Sequence, residues 1–200
     1  MSKSIEVAKE AIKKNCNPIE ISDDFNQLQI SISTNQILDV VDFIKNDEAC
    51  EFRQITDIAG VDFPERIKRF DVIYHFLSFK HNIRLRIKIT ISEDETISSI
   101  TSIFPAANWF EREAFDMYGI QFKDHPDLRR ILTDYGFDGH PLRKDFPLTG
   151  HTEVRYSEEK KKVINEPVKL EQNYRNFDYE SPWEGTKYIK ELTENNDKKN

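Results

Sequence analysis

Between Trp109 and Leu148 the chain gathers residue types that move protons or hold metals: Glu111, Glu113, Asp116, His125 and His140. Glu113 and Asp116 fall three apart, a spacing that places both carboxylates on one face of a helix. With Glu111 and the two histidines they could form a carboxylate–histidine site for a divalent metal, the donor set of a metal-dependent hydrolase. Helices that carry catalytic metals present His at i and i+4, or a Glu-x-x-His, and neither pattern occurs here. Arg112, Arg129, Arg130 and Arg143 stand close by and offer partners to the same carboxylates. The competing reading is therefore a salt-bridge network that fixes loops to a helix.

Each histidine precedes a proline, in His125-Pro126 and His140-Pro141. Proline locks its own φ and drives its predecessor out of the helical region, so both steps are rigid turns or extended segments. A histidine held there more often hydrogen-bonds backbone than acts as a base. Neither has a Ser or Cys nucleophile in a recognisable arrangement. Cys16 and Cys50 form no CxxC, so thiolate metal sites, iron–sulfur clusters and a disulfide framework all lack their spacing. Cys50 is followed by Glu51, whose charge is expected to raise the thiol pKa. The glycines at 60, 119, 136, 139, 150 and 185 compose neither GxGxxG nor a phosphate-cradling loop. Gly136 and Gly139 read as turn residues around Phe137-Asp138.

What must position these residues is an α+β domain. Ile5, Ala8 and Ile12 recur at helical spacing over residues 4–14, and Leu28, Ile30 and Ile32 alternate as in a strand. Ser33-Thr-Asn-Gln36 has capping-box form ahead of a stripe on Ile37, Val40, Val41 and Ile44, which predicts a helix ending near Asn46. Phe52–Ile58 fits a strand. Phe70, Val72, Tyr74 and Phe76 then alternate up to a turn at Lys80-His81-Asn82, and Ile83, Leu85, Ile87, Ile89 and Ile91 alternate with Arg84, Arg86, Lys88 and Thr90. That pattern predicts a mostly antiparallel sheet with helices on one face and water on the other. The Arg84, Arg86, Lys88 row reads as a solvated face that discourages edge aggregation, with a docking surface as the alternative. Pro105 suits the first turn of another helix, with Ala106, Trp109, Phe110, Ala114 and Met117 as its buried stripe and Gly119 as a left-handed stop. Residues 1–150 are thus expected to form one domain containing the segment 109–148. Residues 151–200 are expected to form an extended, partner-docking tail, sparse in apolar groups but carrying Tyr174, Phe177, Tyr179 and Trp183 as anchors.

Composition narrows the class. A net charge of −7 with no clustered basic face argues against nucleic acid as a partner. No apolar run approaches the roughly 20 residues of a membrane span, and Glu6 and Glu10 interrupt what would be a signal-peptide core.

The segments Glu111-Arg-Glu-Ala-Phe-Asp116-Met-Tyr-Gly119 and His125-Pro-Asp-Leu-Arg129-Arg130, continuing through His140-Pro-Leu-Arg143-Lys144-Asp145-Phe-Pro-Leu148, closely resemble the signature of the 30 kDa (C) subunit family of proton-pumping NADH:quinone oxidoreductase, respiratory complex I. Weaker likeness extends to residues 55–62, 153–156, 166–167 and 177–183, leaving residues 1–50 and 184–200 unplaced. The resemblance implies a peripheral-arm subunit without catalytic residues or a redox centre of its own. Such a subunit packs against the quinone-site (D-type) subunit and neighbouring iron–sulfur subunits, in a complex that uses NADH, FMN, iron–sulfur clusters and quinone. It implies a place on the inner membrane reached only through the complex, on the cytoplasmic side in a bacterium or the matrix side in a mitochondrion. Glu111, Arg112, Glu113, Asp116, His125, Arg129, Arg130, His140, Arg143, Lys144 and Asp145 are then interface or structural residues. Arg143, following the rigid His140-Pro141-Leu142 step, is expected to make forked hydrogen bonds to a carboxylate or to backbone carbonyls. Two function classes stay open on the residues alone: a subunit of an electron-transfer complex, and a stand-alone metal-dependent hydrolase using Glu111, Glu113, Asp116, His125 and His140.

Overall fold

A computed structural model describes residues 3–23 and 27–169, which divide into two compact units at His151/Thr152. In the first unit α1 (Lys3–Cys16), β1 (Glu20–Ser22) and β2 (Leu28–Ser31) lead through a 3₁₀ turn (Thr34–Gln36) into α2 (Ile37–Asn46). Three long strands follow, β3 (Gln54–Asp62), β4 (Phe70–Ser78) and β5 (Ile83–Ile91), then β6 (Thr96–Ser98), α3 (Ala107–Tyr118) and β7 (Gln121–Lys123). In the second unit β8 (Thr152–Ser157) pairs antiparallel with β9 (Lys162–Pro167).

The five-stranded sheet runs β1-β2-β5-β4-β3. All its pairs are antiparallel except β2 with β5, which lie parallel in the register Leu28↔Leu85 to Ser31↔Lys88. Period-two alternation explains the core: Phe70, Val72, Tyr74 and Phe76 on β4 and Leu85, Ile87 and Ile89 on β5 are buried together with Ile5, Ala8 and Ile12 of α1 and Val40, Val41 and Ile44 of α2. The helices therefore stack on one sheet face. Asn82, at φ 50°, closes the β4–β5 turn with a residue that tolerates left-handed backbone. Gln36 closes the expected capping device: its Oε1 accepts the Ser33 N–H at 3.1 Å, which organises the 3₁₀ turn rather than the α-helix itself.

Three details differ from the periodicity reading. The third strand is displaced to Gln54–Asp62, with Phe52 buried ahead of it. The buried face of α3 is Ala107, Glu111, Ala114, Asp116 and Met117, whereas Ala106 is exposed and Trp109 is 69 % exposed. Two acids occupy positions that an apolar stripe would claim, so counting only apolar residues shifts the phase. The first part of the stretch beyond Gly150 folds back as the β8–β9 hairpin, tied by Arg155 Nε to Glu166 Oε1 at 2.6 Å. The anchors Tyr174, Phe177, Tyr179 and Trp183 lie outside the described residues.

Candidate functional site

Most of the 109–148 segment is organised around α3. The helix stops where Gly119 turns left-handed at φ 82°, and its N–H bonds to Phe115 O at 2.8 Å. A Cβ at Gly119 would stand 2.8 Å from Nε2 of His140, so glycine serves both the turn and the close approach.

Asp116 is the main clamp. Its Oδ2 accepts three successive backbone N–H groups, from Ile131 (2.9 Å), Leu132 (2.7 Å) and Thr133 (2.9 Å). Its Oδ1 accepts the Thr133 hydroxyl at 2.6 Å, and Arg130 Nη1 lies 3.4 Å away. Burial pushes this carboxyl up, but the Thr133 hydroxyl and the three amides together outweigh burial and hold it below the usual carboxylate value. Arg112 adds a second clasp, donating Nε to Arg129 O (2.9 Å) and Nη2 to Arg130 O (3.2 Å). Arg130 reaches on to Gly139 O at 2.9 Å.

The histidines bind backbone, as their Pro-linked turns lead one to expect. His140 donates Nδ1–H to Asp116 O at 2.9 Å. His125 accepts the Asp127 N–H on Nδ1 at 3.0 Å, which places its proton on Nε2, facing Asn108 O at 3.1 Å. Glu111 is buried beside it, 3.8 Å from Nε2, but its partners are Ser99 Oγ (2.6 Å) and the Ile100 N–H (2.8 Å). With the Nε2 proton aimed at a carbonyl, the two are neighbours rather than an ion pair. Burial pushes the Glu111 carboxyl up to about 7 despite those two donors.

A second network ties Arg143, Lys144 and Asp145 to the sheet. Asp62, at the inward-facing end of β3, accepts Arg69 Nε (2.6 Å), Arg69 Nη2 (2.9 Å) and the Lys144 N–H (2.6 Å). Asp145 bridges Arg69 Nη1 and Arg143 Nη2, both at 3.0 Å, and Arg143 also pairs with Glu93. The expected forked contact of Arg143 is thus made within the chain, to Asp145 Oδ1 and Oδ2 at 3.1 and 3.0 Å. Arg129 likewise forks onto Asp127.

The metal-site grouping dissolves in this geometry. Glu113 is exposed on the outer side of α3, Glu111 points into the core, Asp116 is saturated by donors, His125 has both ring nitrogens on backbone, and His140 has its Nδ1 there. Among the described residues no three His, Cys, Asp or Glu side chains converge. Cys16 and Cys50 are buried thiols pushed up to about 11 and 12, first by burial and then by Asp47, not Glu51. Residues that sequence reasoning passed over are Asp62, Arg69, Glu93, Ser99 and Thr133. Asp62 closes the 55–62 stretch of weaker likeness, but with the strand read only to Ile58 its inward position at the end of β3, which demands a partner, was not legible.

Large apolar side chains of the segment face outward. Leu132 is 61 % exposed, Tyr135 fully exposed and Leu148 88 % exposed. A groove of about 650 Å³ opens between Arg112, Arg129, Leu132, Tyr135 and Gly136.

The family model described as "Respiratory-chain NADH dehydrogenase, 30 Kd subunit" matches residues 30–152. The chain belongs to this family, the 30 kDa (C) subunits of respiratory complex I. The C-type subunit of the NADH-quinone oxidoreductase from Ruegeria pomeroyi is 58% identical over 165 residues, covering 82% of either chain. Its counterpart from Xanthobacter autotrophicus is 60% identical over 163 residues, covering 82% of this chain and 78% of its own. The fold also matches a chain in the structure of the membrane-bound sulfane sulfur reductase (MBS), an archaeal respiratory membrane complex. That match has a TM-score of 0.65 at 22% identity and covers 86% of this chain and 99% of the other. Nothing in these likenesses or in the geometry supports the hydrolase alternative.

Proposed function

We propose that this member of complex I is non-catalytic and docks the quinone-site subunit, with the neighbouring iron–sulfur subunits, through the surface that α3 clamps in place. The observation that carries the reading is the Asp116 clamp: four hydrogen bonds from residues 131–133 converge on one carboxylate and fix the loop on which Leu132 and, two residues beyond the clamp, Tyr135 are exposed. Exposed apolar groups on a pre-ordered loop bind without first losing chain entropy, which makes them effective anchors. His125, Arg129, Arg130, His140, Arg143, Lys144 and Asp145 then act by shaping that surface. In this reading NADH, FMN, iron–sulfur clusters and quinone are held by other subunits. No helix of the described residues is long and apolar enough to cross a membrane. The chain then reaches the inner membrane through the complex, on the cytoplasmic side, or the matrix side in a mitochondrion. Residues 151–200 act as a second docking element.

The test is a photo-crosslinking phenylalanine analogue in place of Tyr135, activated in membranes that hold the assembled complex. The expected adduct is with the quinone-site subunit. Adducts formed only within the chain, or with none of the complex's subunits, would contradict the assignment.

A further inference from the structure

The sheet face turned away from the helices carries a feature that the clamp does not use. β5 is the central strand, and its outward side chains are Arg84, Arg86 and Lys88. Across the register, Leu77 lies opposite Arg84, His75 opposite Arg86 and Ile73 opposite Lys88. On the other flank Gln29 lies opposite Arg86 and Ser31 opposite Lys88. Among the described residues none of the three cations makes an ion pair. Arg86 donates only to the neutral amides of Gln29 (3.2 Å) and Gln27 (3.4 Å), and its shielded Nε has no partner. Ile73 and Leu77 are half-buried without joining the core. A shallow cavity of about 280 Å³ opens beside Ile73, lined also by Arg86, Lys88, Gln29, Ser31 and one carboxylate, Glu20. The other acids nearby are Asp57, close enough to act on His75, and Asp71, engaged by Thr90 and Arg66.

A basic row on an edge strand blunts aggregation, but β5 is paired on both sides, so that purpose is not served here. Like charges two apart along a strand stand about 6.7 Å from one another and repel. In a chain of net charge −7, three such cations with no ion-pair partner among the described residues, flanked by half-buried Ile73 and Leu77, form half of a complementary surface. We infer that this face docks an acidic amphipathic helix of a neighbouring subunit in the complex. Helical residues four apart rise about 6.0 Å, so carboxylates at i, i+4 and i+8 meet Arg84, Arg86 and Lys88 nearly in step. Its apolar side chains cover Ile73 and Leu77. The inference rests on membership of a multi-subunit complex and not on which subunit Tyr135 meets, so the two readings fail independently.

The test uses the purified membrane complex and the full-length chain alone. Carbodiimide treatment of the complex, followed by peptide mass spectrometry, is expected to show the Lys88 Nζ joined by an amide bond, with loss of water, to an Asp or Glu of another subunit. Acetylation of Lys88 by a small anhydride is expected to be at least tenfold slower in the complex than in the chain alone. Equal acetylation rates would overturn the inference. Carbodiimide links from Lys88 only to this chain's own carboxylates, residues 170–200 included, would overturn it too.

Discussion

Replacing Asp116 with alanine should release the 128–136 loop while leaving the sheet intact. The side chain accepts three backbone amides and a hydroxyl at 2.6–2.9 Å. Hydrogen bonds to a charged group contribute about 1.5–3 kcal/mol each, but water replaces part of that for a half-exposed loop. A net loss of about 3 kcal/mol is expected, which corresponds to about a hundredfold more frequent opening of the loop. Native-state hydrogen exchange at the amides of Ile131, Leu132 and Thr133 reads this directly, with β4 and β5 amides as internal controls. Asp116→Asn keeps one acceptor but turns an NH₂ toward donors, so it should fall between wild type and alanine. The same amides should lose protection in acid. A carboxyl held below its usual value contributes stability that is complete above the unfolded-state pKa and lost as pH falls through the lower folded value. Unchanged exchange at 131–133 in Asp116→Ala would refute the clamp.

Glu111 works in the opposite direction: its raised folded pKa of about 7 means its own contribution to stability is complete below about pH 4.5 and is lost as pH rises through about 7, by about 3 kcal/mol in all. Urea unfolding from pH 5 to 8 should show that decline in wild type and a flatter profile in Glu111→Gln, and parallel profiles would remove the buried-acid account. Arg69→Met strands the Asp62 carboxylate at the end of β3 and should destabilise by about 3–5 kcal/mol, measurable as a lowered urea midpoint with unchanged slope. Gly119→Ala forces a left-handed alanine against the His140 ring and should cost upward of about 1 kcal/mol, whereas Gly136→Ala, with no neighbour near its Cβ, should lose only the backbone share; equal melting temperatures for the two would show that the His140 contact is not tight.

The elements that could be read from the sequence are those whose burial is purely apolar. The β4–β5 hairpin alternates at every position but Asp71, which is buried next to Phe70 and Val72 and engaged by Thr90 and Arg66, and the α2 stripe on Ile37, Val40, Val41 and Ile44 is buried as expected. Gly119 marks the end of α3 because only a residue without a Cβ serves both its φ and its neighbour. The phase of α3 was not legible, because Glu111 and Asp116 are buried through hydrogen bonds to Ser99, Ile100 and residues 131–133, partners that helical periodicity does not register. The parallel β2–β5 pairing and the Asp62–Lys144 contact depend on chain segments far apart in sequence, which no local pattern encodes. The candidate site shows the same division. Its rigid His-Pro steps, its arginines and their pairing with carboxylates or carbonyls were legible, but which groups they would meet, Asp127, Asp145 and Glu93 among them, was not.

The central claim, docking without catalysis, is tested most directly by the double variant Leu132→Asp, Tyr135→Asp. Its NADH:quinone activity in membranes should be normalised to the complex measured on a native gel. Losing two exposed apolar anchors costs upward of about 2 kcal/mol of association, so assembled complex should fall severalfold or more. The complex that remains should keep near-wild-type turnover. Normal assembly with activity per complex lowered a hundredfold would contradict the account and put chemistry, rather than docking, in this loop.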